Sequence, residues 1–130
     1  MERSLQPVSA AKLYIIDEHP SVRSALVERL GRAANLQVIG HGGEAASVLG
    51  EIRTGHPDVV LLEVKRKDGM GLEILRQLAT LPKAPRLAVL TSYPTKWEEQ
   101  AARRAGADCY LLKDIDSEEL IKTIENMLTG

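Results

Sequence analysis

Short apolar runs alternate with helical patterns five times along this chain. The runs cover residues 13–16, 36–39, 59–64, 87–90 and 109–112. Most lack the in-out alternation of a half-exposed strand, which predicts parallel strands buried on both faces. Between them, Val22, Ala25, Leu26 and Leu30 share one helical face, opened by Pro20, whose missing N–H costs little in a first turn. Ala45, Val48, Leu49 and Ile52 recur at helical spacing and stop at Gly55-His56-Pro57. Leu72, Leu75, Leu78 and Ala79 form a third face ended by Pro82. Trp97, Ala101 and Ala105 form a weaker fourth, closed by Gly106, with Trp97 expected to pack between helix and sheet. Leu120, Ile121, Ile124, Met127 and Leu128 form the fifth, with Asp116 or Ser117 as N-cap and Glu118 and Glu119 in the first turn. Five such units with short connections require right-handed crossovers. The fold class is therefore α/β, a doubly wound five-stranded parallel sheet with five helices. Residues 1–11 show no periodicity and read as a flexible tail, leaving 12–130 as the domain.

Composition then excludes classes of function. The chain has 130 residues, 44% hydrophobic and 27% charged, which is ordinary globular usage for one domain. Seventeen basic and eighteen acidic side chains give a net charge of −1, against a dedicated nucleic-acid or membrane-surface module. No apolar run reaches the roughly 18 residues of a membrane span. The single cysteine, Cys109, excludes an internal disulfide framework and is expected to be a small buried hydrophobe. With no export signal, a cytoplasmic location is expected.

In doubly wound sheets ligands bind beyond the carboxyl ends of the strands, so the residues after each run carry the chemistry. Asp17-Glu18-His19-Pro20 follow the first, Glu63 ends the third, Thr91-Ser92 the fourth, and Lys113-Asp114 the fifth. Three carboxylates on one rim repel unless a cation lies among them, and Mg²⁺ suits oxygen ligands while keeping waters for a phosphate. A hydroxyl and an ammonium opposite are what a phosphoryl oxygen needs. His19, His41 and His56 have no metal-binding spacing, and His19 is expected to start the first helix.

At this point the sequence resembles the receiver (response-regulator) family of two-component signalling, over roughly residues 12–128. Y-I-I-D-E-H-P is similar to the family's acidic-pair opening, in the form common among regulators carrying a LuxR-type DNA-binding domain. P-D-V-V-L-L-E-V resembles the phosphoacceptor strand, A-V-L-T-S-Y the fourth strand and G-A-D-C-Y-L-L-K-D the fifth. The resemblance implies strand order 2-1-3-4-5. It also implies metal-side acids Asp17 and Glu18, with Glu63 and the Lys65 backbone carbonyl completing a Mg²⁺ site. Thr91 is then the switch hydroxyl, Tyr110 the switch aromatic and Lys113 the phosphate-facing cation. Partners implied are a sensor kinase and proteins docking on the face of the fourth helix, fifth strand and fifth helix, a second copy included. DNA would be reached only through an output domain outside this chain.

The central position departs from the family: where the phosphoacceptor is Asp, this chain has Glu63. One methylene moves a carboxylate by on the order of 1 Å, and near-attack chemistry loses about 10²-fold to such errors. The expectation is a pseudo-receiver, a phosphorylation-independent signalling module and not a turnover enzyme. Glu63 would mimic a phosphate in part, with one charge against about two. The alternative is a conventional Mg²⁺-dependent phosphoacceptor. Lys65-Arg66-Lys67 reads mainly as a solvated loop, with the further idea that one of these cations neutralises the acids in place of Mg²⁺. A remote alternative is a dinucleotide-binding domain, because Gly40, Gly42 and Ala45 fit G-x-G-x-x-A and Glu63 lies at the distance of a ribose-binding acid.

Overall fold

Alternating side chains on parallel strands decide how this chain packs. In the computed structural model, which describes residues 10–129, the elements run β1 (Ala11–Ile16), α1 (Pro20–Leu30), β2 (Leu36–Gly42), α2 (Ala45–Gly55), β3 (Val59–Leu62), α3 (Gly71–Ala79), β4 (Arg86–Thr91), α4 (Lys96–Ala105), β5 (Cys109–Leu112) and α5 (Ser117–Thr129). The expected tail falls mostly on residues outside that range, and Ala11 already belongs to β1. The five strands form one sheet in the order β2-β1-β3-β4-β5, every pairing parallel. This is the doubly wound fold that the sequence predicts.

Successive strand residues point to opposite faces, and both faces are covered. Ile16, Val60, Leu62, Leu87 and Val89 meet Val48 and Ile52 of α2, Ile74, Leu75 and Leu78 of α3, and Ala102 and Ala105 of α4. Leu13, Ile15, Val59, Leu61, Ala88 and Leu90 meet Leu26 and Leu30 of α1 and Leu120 and Ile124 of α5. Two aliphatic cores thus clamp β3, all of whose residues are buried. Asp116 precedes α5, and its carboxylate accepts from the Glu118 N–H at 3.1 Å.

Four local expectations are corrected. Trp97 does not pack on the sheet: it is 69% exposed, because the buried stripe of α4 is Glu98, Ala101, Ala102 and Ala105. Ala25 is exposed, since α1 docks chiefly through Leu26 and Leu30. Cys109 is half-buried on edge strand β5, its Sγ 3.0 Å from Met127 Sδ. Gly40 and Gly42 form no phosphate-binding turn. They lie within edge strand β2, where a Cβ would come within 2.8 Å of the Tyr14 ring and of Val48 Cγ1 respectively. Close packing explains them, and the dinucleotide reading loses its loop. Gly71 matters more for the rim: a Cβ there would lie 1.8 Å from the Val64 carbonyl oxygen, so only glycine lets α3 turn so tightly under the loop after β3.

Candidate functional site

Ile16 and Leu62 are register partners at the ends of β1 and β3. The next residue on each strand, Asp17 and Glu63, therefore emerges at the same rim. Both carboxylates are buried, at 1% and 5% exposure. Lys113, one residue beyond β5, reaches between them: its Nζ lies 2.7 Å from Asp17 Oδ2 and 3.0 Å from Glu63 Oε1. The other oxygens are also engaged. Asp17 Oδ1 accepts from the His19 N–H at 2.9 Å and lies 2.9 Å from His19 Nδ1. Glu63 Oε2 accepts from the Lys65 N–H at 3.1 Å.

Burial alone would raise the Asp17 carboxyl, but hydrogen bonds from Lys113 and His19 outweigh it and hold the group below its ordinary value. Burial alone would lower the Lys113 ammonium, yet its bonds to Asp17 and Glu63 hold it above its ordinary value. Asp17 and Lys113 are thus both charged at neutral pH. The loop carrying Lys113 is fixed from behind by Arg29 of α1, which donates to Lys113 O at 3.0 Å, Ser117 Oγ at 2.9 Å and Ile115 O.

The other half of the rim is joined by Lys65. Thr91, fully buried at the end of β4, has its Oγ1 3.3 Å from Lys65 Nζ. The same ammonium donates to Tyr93 O at 2.6 Å and to both oxygens of Glu98 at 2.8 Å. Glu98 in turn accepts from the Tyr110 hydroxyl, which accepts from the Thr95 N–H at 3.2 Å. Burial, followed by the Glu98 bond, pushes the Tyr110 phenol up to about 12. The hydroxyl and aromatic expected from sequence are thus linked through two residues that sequence did not single out as a pair. The signal for Glu98 was there: it sits i, i+3, i+4 and i+7 with three alanines of a buried stripe, and a buried carboxylate needs a cationic partner.

Glu18 stands apart from Asp17 and Glu63. Its Oε1 accepts from the Lys67 N–H at 2.9 Å, so it is turned to the β3–α3 loop. That loop is not simply solvated. The Arg66 side chain is only 3% exposed, with Nη2 donating to Gly43 O at 2.7 Å and to Asp68 Oδ2 at 2.9 Å, and Nε to Asp68 Oδ1 at 3.0 Å. Its Nη1 is buried without a hydrogen-bond partner.

Mg²⁺ demands an octahedron of oxygens with free lone pairs. Here the Asp17 and Glu63 oxygens each face a proton donor, and Glu18 points elsewhere. Among the described residues no three Asp, Glu, His or Cys side chains are gathered as a metal ion requires. The donor set as it stands does not fit the ion.

Comparison with known proteins agrees with this architecture. Residues 13–125 match the response regulator receiver domain family. The chain is 34% identical over 119 residues to the DNA-binding transcriptional activator DevR/DosR of Mycobacterium tuberculosis, covering 92% of this chain and 55% of that protein. It is 28% identical over 120 residues to the nitrate/nitrite response regulator NarL of Escherichia coli K12, covering 92% and 56%. The chain thus spans about half the length of these relatives. The signal receiver domain of a NarL from Mycobacterium tuberculosis superposes with a TM-score of 0.87 at 23% identity, covering 95% of this chain and 99% of that one, which shows the shared fold. With the acid-lysine rim, the strand order and a family match across most of its length, this chain belongs to the response regulator receiver domains, in their LuxR/NarL-like branch.

Proposed function

We propose that this domain is an atypical receiver: a signalling and interaction module, not a turnover enzyme, that works without phosphotransfer. Glu63 holds the phosphoacceptor position, and the supporting observation is its double engagement. One oxygen is paired with Lys113 and the other capped by the Lys65 N–H. The contact that an acyl phosphate would make with the lysine already exists. The added methylene also displaces the carboxylate by on the order of 1 Å from near-attack geometry. On this reading Thr91, Tyr110 and Lys113 keep their family places, and the Lys65–Glu98 link holds Thr91 and Tyr110 in one arrangement.

The output surface is then α4, β5 and α5, where Trp97 and Leu112 are exposed, with exposed Tyr93 in the connection leading into α4. Such side chains suit a protein partner, a second copy of the chain included. Receiver domains typically bind Mg²⁺ at the acidic pocket, here Asp17, Glu18, Glu63 and the Lys65 carbonyl; this reading makes the ion dispensable. DNA would be contacted through an output domain of the kind implied by the DNA-binding relative. No described helix is long and apolar enough to cross a membrane, in keeping with a proposed cytoplasmic site of action.

A second reading, phosphotransfer from a sensor kinase to Glu63, is favoured by the retained Lys113 and Thr91. Intact-mass measurement after incubation with phosphoramidate and Mg²⁺ separates the two. The wild type is expected to keep its unmodified mass, like Glu63→Gln. A stoichiometric phosphoryl adduct in the wild type, lost in Glu63→Gln, would overturn the proposal.

A further inference from the structure

We propose that Arg66 is the resident cation of the acidic pocket, its guanidinium standing where the family places a divalent ion. Burying a guanidinium is costly unless opposite charge surrounds it. Arg66 is buried on a surface loop, although an arginine serving only to clamp exposed Asp68 could do so from solvent. Its Nη1 is left without a hydrogen-bond partner, so the clamp on Asp68 and the bond to Gly43 O leave part of the group unsatisfied. Acidic side chains around it supply further opposite charge. Asp68, Glu18 and Asp17 all act on it electrostatically, and Glu44, which caps α2, feels it in return. Asp68 is the direct partner, and the pocket acids Glu18 and Asp17 add to the negative field at the guanidinium.

The backbone is built to keep that group in place. Nη2 crosses from the loop after β3 to Gly43 O, in the loop after β2. At Gly43 a Cβ would lie 2.8 Å from Arg23 Nη1 and from the Glu18 Cα and 2.9 Å from Asp17 O, so the loop that accepts the Arg66 bond packs directly on the backbone of the acid pair. The Lys67 N–H, next along the loop, holds Glu18. A divalent ion would need these acids to release their donors and Arg66 to withdraw; the tethered guanidinium supplies charge with no dehydration of an ion. The site is therefore set permanently, indifferent to Mg²⁺.

This rests on reading Asp17, Glu18 and Glu63 as the receiver's acidic pocket, and its failure is separable. A phosphoryl adduct on the wild type sinks the phosphorylation-independent reading; Mg²⁺ binding without an adduct sinks only the present one. The test is thermal melting of the full chain at matched ionic strength, with and without Mg²⁺. Wild type and Arg66→Lys are expected to melt at the same temperature in both. Arg66→Met, similar in reach but neutral, is expected to gain a saturable rise of roughly 5 °C at about ten times its dissociation constant. A saturable rise in the wild type, or none in a folded Arg66→Met, would overturn the proposal. Should Arg66→Met not fold, Mn²⁺ added to the wild type decides: selective broadening of the Glu18, Val64 and Lys65 amide resonances overturns it, and unperturbed resonances support it.

Discussion

Lys113→Met is expected to lower the melting temperature by roughly 10 °C, from a loss of about 3 kcal/mol, because it strands two buried carboxylates side by side. Lys113 is the ammonium that Asp17 and Glu63 share, at 2.7 and 3.0 Å. Without it, burial and mutual repulsion both act to raise their proton affinity. The pH dependence gives the result a second signature. In the wild type, the native Asp17 carboxyl lies below its ordinary value of 3.8. Its contribution to stability is complete above that value and is lost as pH falls through the lower native one. In Lys113→Met the sign reverses: carboxyls raised by burial destabilise the fold as pH rises, so the deficit shrinks on acidification from neutrality toward their ordinary range. Melting curves across acid pH check this. A deficit that stays constant would show that Lys113 contributes packing and not charge.

The second large effect concerns phosphotransfer. Glu63→Asp restores the shorter side chain, and Arg66→Met removes the cation set against the acids. The double variant is expected to acquire phosphoryl label from phosphoramidate and Mg²⁺ roughly 10²-fold faster than wild type, with each single change giving far less. The non-additivity follows from geometry: the shorter carboxylate corrects the position of attack but leaves the pocket's charge satisfied, while the arginine change opens the pocket around a misplaced nucleophile. Rates come from the growth of the adduct in intact-mass spectra. Equal labelling of Glu63→Asp and the double variant would show that Arg66 has no part in excluding the ion.

Much of this site is legible in the chain because parallel sheets align strand ends. Residues 17, 63, 91 and 113 each follow or close an apolar run, and a doubly wound topology brings such positions to one rim. Lys113 facing Asp17 and Glu63 follows from that placement. Side-chain reach is less legible. The loop after β3 reads as three exposed cations, and nothing in K-R-K distinguishes Lys65, which bends to Thr91 and Glu98, from Arg66, which turns inward to Gly43 and Asp68. The difference lies in partners distant in the chain, Thr91 and Glu98 for Lys65 and Gly43 for Arg66, which only the tertiary fold brings within reach. The α4 stripe fails for a related reason. Trp97 is the more apolar residue, but the helix meets the sheet through small alanines, and the neighbouring buried place goes to Glu98 because Lys65 and Tyr110 satisfy it.

Asp17 and Lys113 are 96 residues apart in the chain, and this separation bears on when the rim becomes favourable during folding. Pairing of β1 with β3 is enough to bring Asp17 and Glu63 together, whereas the lysine arrives only with β5. Until then the two acids oppose the strand pairing that positions them. Long-range contacts of this kind form late, since loop closure must precede them. Lys113→Met is accordingly expected to speed unfolding while leaving the folding rate nearly unchanged in stopped-flow measurements. The same ammonium that completes the site would act kinetically as a latch on the finished sheet.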